Sequence, residues 1–224
     1  MKKILLSALI FTANLISMNA QKVSILGDSY STYSGEVSPD WNYCWYFNDK
    51  KNEGKNDVET SDQTWWKILI KEKGYKLEKN NSFSGSTVCY TGYGKADYSD
   101  RAFITRMANL GNPDIILIFG GTNDSWAKSP IGYYEYTNWT RQQLYSFRPA
   151  FCYMINYIKS NYPNAKIYNI CNSELSKEVT ETEAKVCEYY GIVNIQLTDI
   201  DKQAGHPSIK GMRAIATQVG EAIK

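Results

Sequence analysis

The chain has 224 residues, of which 43% are hydrophobic and 21% are charged, with a formal net charge of +2 at pH 7. This length suits a single domain with a sizeable buried core, and no repeat, Pro/Ser linker or low-complexity tract divides the sequence. Basic residues form no stripe or block, which argues against nucleic acid or a polyanionic surface as the main partner.

The first 20 residues have the features of a cleaved signal peptide. Two lysines precede an apolar run from Ile4 to about Met18, and a small-residue exit at Ala20 predicts cleavage before Gln21. A lone membrane anchor is the alternative, but polar residues interrupt the run, which falls short of the roughly 20 apolar residues that span a bilayer. We therefore expect a secreted or periplasmic mature chain, residues 21–224, that forms one domain without stable membrane insertion.

Four short apolar segments and one weaker, more polar segment, residues 75–80, predict the strands of one sheet. The strongest is the run from Asp114 to Phe119, which is continuous and rich in β-branched residues, as expected for a fully buried strand. Two glycines follow it directly. In chain order the predicted strands cover residues 23–26, 75–80, 114–119, 165–171 and 191–197. Amphipathic segments predict helices from Ser61 or Asp62 to Lys73 and over residues 100–110, 143–161, 180–190 and 208–223. Because alternating strands and helices form βαβ units, the predicted class is α/β: a three-layer α/β/α sandwich with a central parallel sheet, flavodoxin-like.

Two long segments, residues 30–60 and 125–142, interrupt this alternation. Each follows a predicted buried strand, and loops of such length inside a domain are usually functional or mobile. Both are rich in aromatic residues, among them Trp41, Tyr43, Trp45, Tyr46, Trp126, Tyr133, Tyr134 and Trp139. Flat aromatic faces suit sugar rings, although packing of the loops onto the sheet accounts for most of these side chains equally well.

Polar motifs follow the predicted strands, at the edge where parallel sheets bind ligands. Gly27-Asp28-Ser29 ends the first strand, and a serine there can act as a nucleophile beside the N–H groups of a following helical turn. A motif around Gly85 follows the second strand, and Asn123 follows the third. His206, the only histidine, lies in a loop bounded by glycine and proline. Taken alone, the first three motifs are typical of ordinary turns or helix caps, and a lone histidine is more often structural than catalytic.

Together and in this order, the four motifs resemble the blocks of the SGNH (GDSL) hydrolase superfamily, over nearly the whole mature chain. The resemblance implies a serine esterase without a cofactor, in which Ser29 attacks the acyl carbonyl and His206 removes and returns the proton. It also implies an oxyanion hole formed by the backbone N–H groups of Ser29 and Gly85 and by the Asn123 side chain. This agrees with elementary chemistry, because serine needs a base and the tetrahedral intermediate needs hydrogen-bond donors.

One position departs from the family pattern. Members usually carry aspartate three residues before the histidine, and this chain has Gln203, whose amide supplies no negative charge for an imidazolium. Three interpretations follow: Asp201 or Asp199 substitutes as the acid, a backbone carbonyl orients the ring in a Ser–His dyad, or activity is weak. We favour a dyad or a substitute acid, because serine, base and oxyanion donors are all present.

Other classes of enzyme and of metal or redox site find little support in the sequence. No two glycines stand four apart, so the GxSxG elbow is absent, and neither GxxxxGK[ST] nor GxGxxG occurs. A single histidine and scattered cysteines do not build a multi-histidine zinc site, and we expect no metal. The five cysteines are an odd number, so at least one is unpaired; Cys152 and Cys171 are expected to be buried thiols, and no disulfide pairing is assignable.

The expected substrate is a small-molecule or glycan ester. An exported esterase with an aromatic rim suits removal of acyl groups, acetyl among them, from carbohydrates, with Asp28, Trp45, Tyr46 and Trp126 as candidate substrate contacts. Hydrolysis of lipid esters or thioesters is the alternative reaction. Gln203 also allows the alternative that the domain binds glycans without hydrolysing them. A flavodoxin-like electron carrier is a further alternative, but it would need a flavin, and a colourless purified protein would exclude it. The oligomeric state is left open.

Overall fold

The computed structural model describes residues 20–47 and 54–223. The predicted signal peptide therefore lies outside the described residues, apart from Ala20. Within the described ranges, no helix is both long enough and apolar enough to cross a membrane.

Five parallel strands form the central sheet in the order β2-β1-β3-β4-β5, which is the flavodoxin-like order. They are β1 Lys22–Gly27, β2 Lys76–Ser82, β3 Ile115–Phe119, β4 Lys166–Cys171 and β5 Val193–Gln196. A separate antiparallel pair, β6 Lys202–Gln203 and β7 His206–Pro207, precedes the last helix. The predicted parallel α/β sheet is confirmed, and the weak second strand extends two residues further than predicted.

Within the described ranges, six α-helices accompany the sheet: α1 Trp65–Lys73, α2 Phe103–Arg106, α3 Thr122–Ala127, α4 Phe147–Asn161, α5 Lys177–Tyr190 and α6 Ile209–Ala222. The helix predicted over residues 100–110 is a single turn, since the chain meets Gly111 and Pro113 soon afterwards. The helix predicted from residue 143 begins with a 3₁₀ turn, and α4 starts only after the extended Ser146. Pro149 explains this start, because proline lacks an N–H and is tolerated only in a helix's first turn.

Side chains of alternate strand residues fill two apolar layers, one on each face of the sheet. Ile115, Leu117 and Phe119 of β3 pack in the layer that contains α1 and α6. Ile116 and Ile118 pack in the layer that contains α2, α4 and α5. Both faces are therefore covered by helices, as the three-layer sandwich requires. All five cysteines are buried as free thiols.

Candidate active site

The candidate nucleophile lies where β1 turns into a short 3₁₀ helix, Ser29–Ser31. Asp28 precedes this turn, and its Oδ1 accepts a hydrogen bond from the Tyr30 N–H at 3.0 Å. Gly27 is required by close packing: a Cβ there would lie 2.5 Å from Ser82 Oγ and 2.7 Å from the Ser31 side chain. The absence of a side chain at Gly27 therefore lets the ends of β1 and β2 pack closely together, two residues before Ser29.

The histidine is held by the two-residue hairpin between β6 and β7. Its turn residues, Ala204 and Gly205, both have positive φ, 48° and 75°, which is the backbone form that closes tight hairpins. The Gly205 carbonyl accepts a hydrogen bond from Tyr30 Oη at 2.7 Å, which ties the hairpin to the turn that carries Ser29. The hairpin thus brings His206 beside a residue 177 positions earlier in the chain.

Ser29 Oγ and His206 Nε2 are 3.0 Å apart, within hydrogen-bonding distance. His206 Nδ1 lies 3.1 Å from the carbonyl oxygen of Ala204. Because a carbonyl only accepts, Nδ1 carries the proton of the neutral ring, which leaves Nε2 free to accept from the serine hydroxyl. The backbone of the hairpin therefore fixes both the tautomer and the orientation of the ring.

Four aromatic rings surround the imidazole. Trp45 stacks on His206 with the ring centroids 3.7 Å apart and the planes 11° from parallel. Tyr30, Tyr46 and Trp126 approach it at 5.4, 6.3 and 6.0 Å. This burial disfavours the charged ring and lowers the pKa of His206 to about 4, against a smaller opposing effect of the Ala204 carbonyl.

The structure places neither candidate acid against His206. The carboxylate of Asp201 accepts a hydrogen bond from Ser208 Oγ, and Asp199 is exposed. Gln203 points away from the imidazole, because its amide pairs with the backbone N–H and carboxylate of Asp57, at 2.9 and 3.2 Å. Of the interpretations left open by the sequence, the geometry matches a Ser–His dyad with a carbonyl-oriented ring.

The other candidate residues take different places around the dyad. Asn123, on the first turn of α3, extends its Nδ2 to within 3.4 Å of Asp28 Oδ2. Gly85 lies in the loop after β2, next to Ser84, whose N–H donates to the Tyr43 carbonyl at 2.8 Å. The segments that carry the three proposed oxyanion donors thus come from β1, the loop after β2 and α3.

Two of the four predicted substrate contacts are buried within the protein. Asp28 is fully buried and supports the 3₁₀ turn, and burial raises its pKa to about 7. Tyr46 is also buried and donates from its hydroxyl to the Pro207 carbonyl at 2.8 Å. Neither side chain is exposed to a ligand in this structure, and Trp45, as described, stacks on the imidazole.

Two partly exposed aromatic side chains, Trp126 and Tyr93, border the site. Trp126 is 43% exposed and Tyr93 is 39% exposed, and each contacts a residue of the proposed machinery, His206 and Asn123 respectively. Trp41 and Tyr43, in the loop after Ser29, are more than 60% exposed, at 68% and 62%. Such rings on an open rim can stack on a flat ligand.

Arg106 is a buried residue of the site that none of the four motifs contains. Its guanidinium donates to the Asn81 carbonyl, to the Gly27 carbonyl at 3.0 Å and to Ser86 Oγ at 2.9 Å. One side chain thus ties the segment before Ser29 to the segment around Gly85. Burial lowers the pKa of Arg106 to about 9. The sequence carries no signal for this role, because a charged residue is ordinary in an amphipathic helix such as the one predicted over residues 100–110.

Asp124 connects the third motif to the same framework. Its carboxylate accepts from the backbone N–H groups of Val88 and Cys89, at 2.7 and 3.2 Å. Burial nevertheless raises its pKa to about 6. Through these bonds Asp124 connects the segment at Val88 and Cys89 to α3. Among the described residues, no group of three or more His, Cys, Asp or Glu side chains is arranged to hold a metal ion.

The chain is similar to known proteins over nearly its whole described length. A family model described as GDSL-like Lipase/Acylhydrolase matches residues 21–223. The crystal structure of a GDSL-like lipase from Bacteroides uniformis is 60% identical, with a TM-score of 0.91, and the match covers 94% of this chain and 99% of that one. A GDSL-like lipase from Bacteroides ovatus is 51% identical, with a TM-score of 0.89, over 91% of this chain and 98% of that one.

A more distant structure shares the fold alone. It is a family two carbohydrate esterase from Clostridium thermocellum in complex with cellohexaose, 18% identical, with a TM-score of 0.58 over 91% of this chain and 63% of that one. No curated protein matches the chain.

Proposed function

Because the chain belongs to the GDSL-like lipase/acylhydrolase family and is an ester-hydrolysing enzyme, we propose that it acts through a Ser29–His206 dyad. The observation that carries this proposal is the pair of contacts on one imidazole. Ser29 Oγ lies 3.0 Å from Nε2, and the Ala204 carbonyl lies 3.1 Å from Nδ1. This is the arrangement that a general base needs to activate a serine hydroxyl.

The proposed reaction has two half-reactions of the same kind. Ser29 Oγ attacks the acyl carbon while His206 Nε2 takes its proton, and the oxyanion that forms is held by the N–H groups of Ser29 and Gly85 and by Asn123 Nδ2. The C–O bond to the alcohol breaks as His206 returns the proton to the leaving oxygen. A water molecule, deprotonated by His206, then attacks the acyl-enzyme and releases the carboxylic acid and free Ser29.

The dyad needs a way to stabilise the imidazolium without a carboxylate. The Ala204 carbonyl accepts from Nδ1 in both protonation states of the ring. The face of Trp45, stacked at 3.7 Å, adds an attraction for a cation that is worth about 0.5 to 2 kcal/mol at such sites. These two contacts support a working base at a position where Gln203 replaces the usual acid.

For the substrate, we propose an acyl ester of a carbohydrate, acetyl esters included. The support is the exposed rings of Trp126 and Tyr93, which contact His206 and Asn123 and offer flat faces beside an otherwise buried dyad. Lipid esters and thioesters remain the alternative substrates, and glycan binding without turnover is the alternative function. The proposed location is outside the cell or in a periplasm, following the signal peptide predicted over residues 1–20.

The test is turnover of a matched ester panel by the mature chain. Acetylated xylose and cellobiose, p-nitrophenyl acetate and butyrate, a long-chain p-nitrophenyl ester and acetyl thioesters are compared, with a fluorophosphonate probe to label the nucleophile. We expect fastest turnover of acetylated sugars and covalent labelling of Ser29, mapped by peptide mass spectrometry. Labelling elsewhere, or turnover that persists in Ser29→Ala, contradicts the nucleophile. Preference for long acyl chains favours the lipid alternative.

The low pKa of His206 predicts an unusual pH dependence. The base is active when neutral, so its active form is present above a pKa of about 4 and is lost as pH falls below it. We expect kcat/KM to stay constant as the pH falls from 8 to 5. An exposed histidine would be mostly protonated at pH 5 and would lose activity there. The profile is measured with a neutral ester, with intrinsic fluorescence confirming that the protein stays folded. An acid limb near pH 6.5 would contradict the burial argument.

A further inference from the structure

Tyr93 lies outside all four motifs, yet its hydroxyl reaches the proposed oxyanion donor. It stands in a short 3₁₀ turn, Tyr93–Lys95, and Tyr93 Oη lies 2.8 Å from Asn123 Oδ1. An amide oxygen only accepts, so the tyrosine hydroxyl donates. Partial burial raises the pKa of Tyr93 to about 12, which keeps this proton on the hydroxyl at any working pH.

The two ends of the Asn123 amide therefore have separate partners. Oδ1 accepts from Tyr93 on one side, and Nδ2 donates towards Asp28 Oδ2 at 3.4 Å on the other. An amide has two nearly isosteric orientations, and in only one of them does the NH₂ group face the developing oxyanion. Turning the amide over would set the Nδ2 hydrogens against the Tyr93 hydroxyl and Oδ1 against the Asp28 carboxyl.

The segment that carries Tyr93 is itself anchored. Thr91 and Asp97 form an antiparallel bridge, and the Gly92 N–H donates to the Ala96 carbonyl at 2.8 Å. Gly92 packs on Tyr98, where a Cβ would lie 2.3 Å from the ring. A hydroxyl held by such a loop can fix its partner's orientation before substrate binds.

We propose that Tyr93 is a positioning residue that sets the orientation of the Asn123 amide for the oxyanion. This rests on the proposed function, since it assigns a role within the same site. Tyr93 acts through Asn123 and not on the ester itself, so its hydroxyl serves the transition state more than the bound substrate. The expected signature is a fall in kcat with little change in KM.

The test is a double-mutant cycle with Tyr93→Phe, Asn123→Ala and the double variant, assayed on p-nitrophenyl acetate. Removing one oxyanion donor costs about 10²- to 10³-fold in kcat, so this is the expectation for Asn123→Ala. Tyr93→Phe keeps the ring and is expected to lose about tenfold, as a misaligned amide loses part of that donor's effect. In the double variant the hydroxyl should have no further effect, because its partner is gone.

Tyr145→Phe is the matched control. Its hydroxyl donates to Asp97 Oδ2 at 3.0 Å. Asp97 lies in the same loop as Tyr93, but this bond does not involve Asn123, so its removal should leave kcat unchanged. Additive losses in the double variant, or a Tyr93→Phe enzyme with wild-type kcat, would overturn the positioning role. The esterase proposal would stand in either case, provided that the wild-type enzyme hydrolyses the ester. Turnover that does not depend on Ser29 would instead remove the proposed function, and with it this inference.

Discussion

Alanine in place of His206 is expected to lower kcat for ester hydrolysis by a factor on the order of 10⁴ or more. The physical reason is that the serine hydroxyl is a poor nucleophile until its proton is taken, and His206 Nε2, at 3.0 Å, is the base in contact with it. The measurement is steady-state turnover of p-nitrophenyl acetate, with circular dichroism to show that the variant is folded.

Two further observations distinguish loss of the base from general damage. His206→Ala leaves a space walled by Trp45 and Tyr30, so added imidazole should restore part of the activity, and Ser29→Ala should show no such rescue. Asp201→Asn tests the substitute-acid interpretation directly. Its side chain bonds Ser208, so we expect kcat within a few-fold of wild type. A loss of several thousand-fold in Asp201→Asn would restore Asp201 as the acid of a triad.

Arg106→Met is expected to lower the free energy of unfolding by about 3 to 5 kcal/mol, among the largest effects of any single change in this protein. Methionine keeps most of the apolar stem but removes the donors to Gly27, Asn81 and Ser86. Buried acceptors that lose a charged donor carry the cost of their own desolvation. Urea denaturation followed by tryptophan fluorescence measures the change.

Activity should fall together with stability in this variant, because Arg106 ties the Ser29 segment to the Gly85 segment. Arg213→Met is the matched control: Arg213 is an exposed arginine whose partner is Glu72, and its loss should change stability by less than about 1 kcal/mol. Equal effects of the two substitutions would contradict the structural role assigned to Arg106.

Some of the site follows from local sequence and some does not. Ser29, Asn123 and the strands before them are predictable, because apolar runs ending in glycine mark the sheet edge where functional loops gather. The short helix α3, which carries Asn123 on its first turn, is not among the predicted helices. Its six residues are too few to show a helical pattern against the long irregular stretch that follows.

The sequence by itself determined the α/β class and the parallel sheet, because hydrophobic periodicity is a local property, and the resemblance of its four motifs to the SGNH family supplied the candidates for nucleophile and base. Only the tertiary structure decided what holds His206. The ring contacts the carbonyl of Ala204 in its own hairpin. It also contacts Trp45 and Tyr46, which lie some 160 residues earlier in the chain. A carbonyl has no residue signature, and stacking depends on how a long loop folds back. The absent aspartate is therefore visible in the sequence, whereas what takes its place is visible only in the fold.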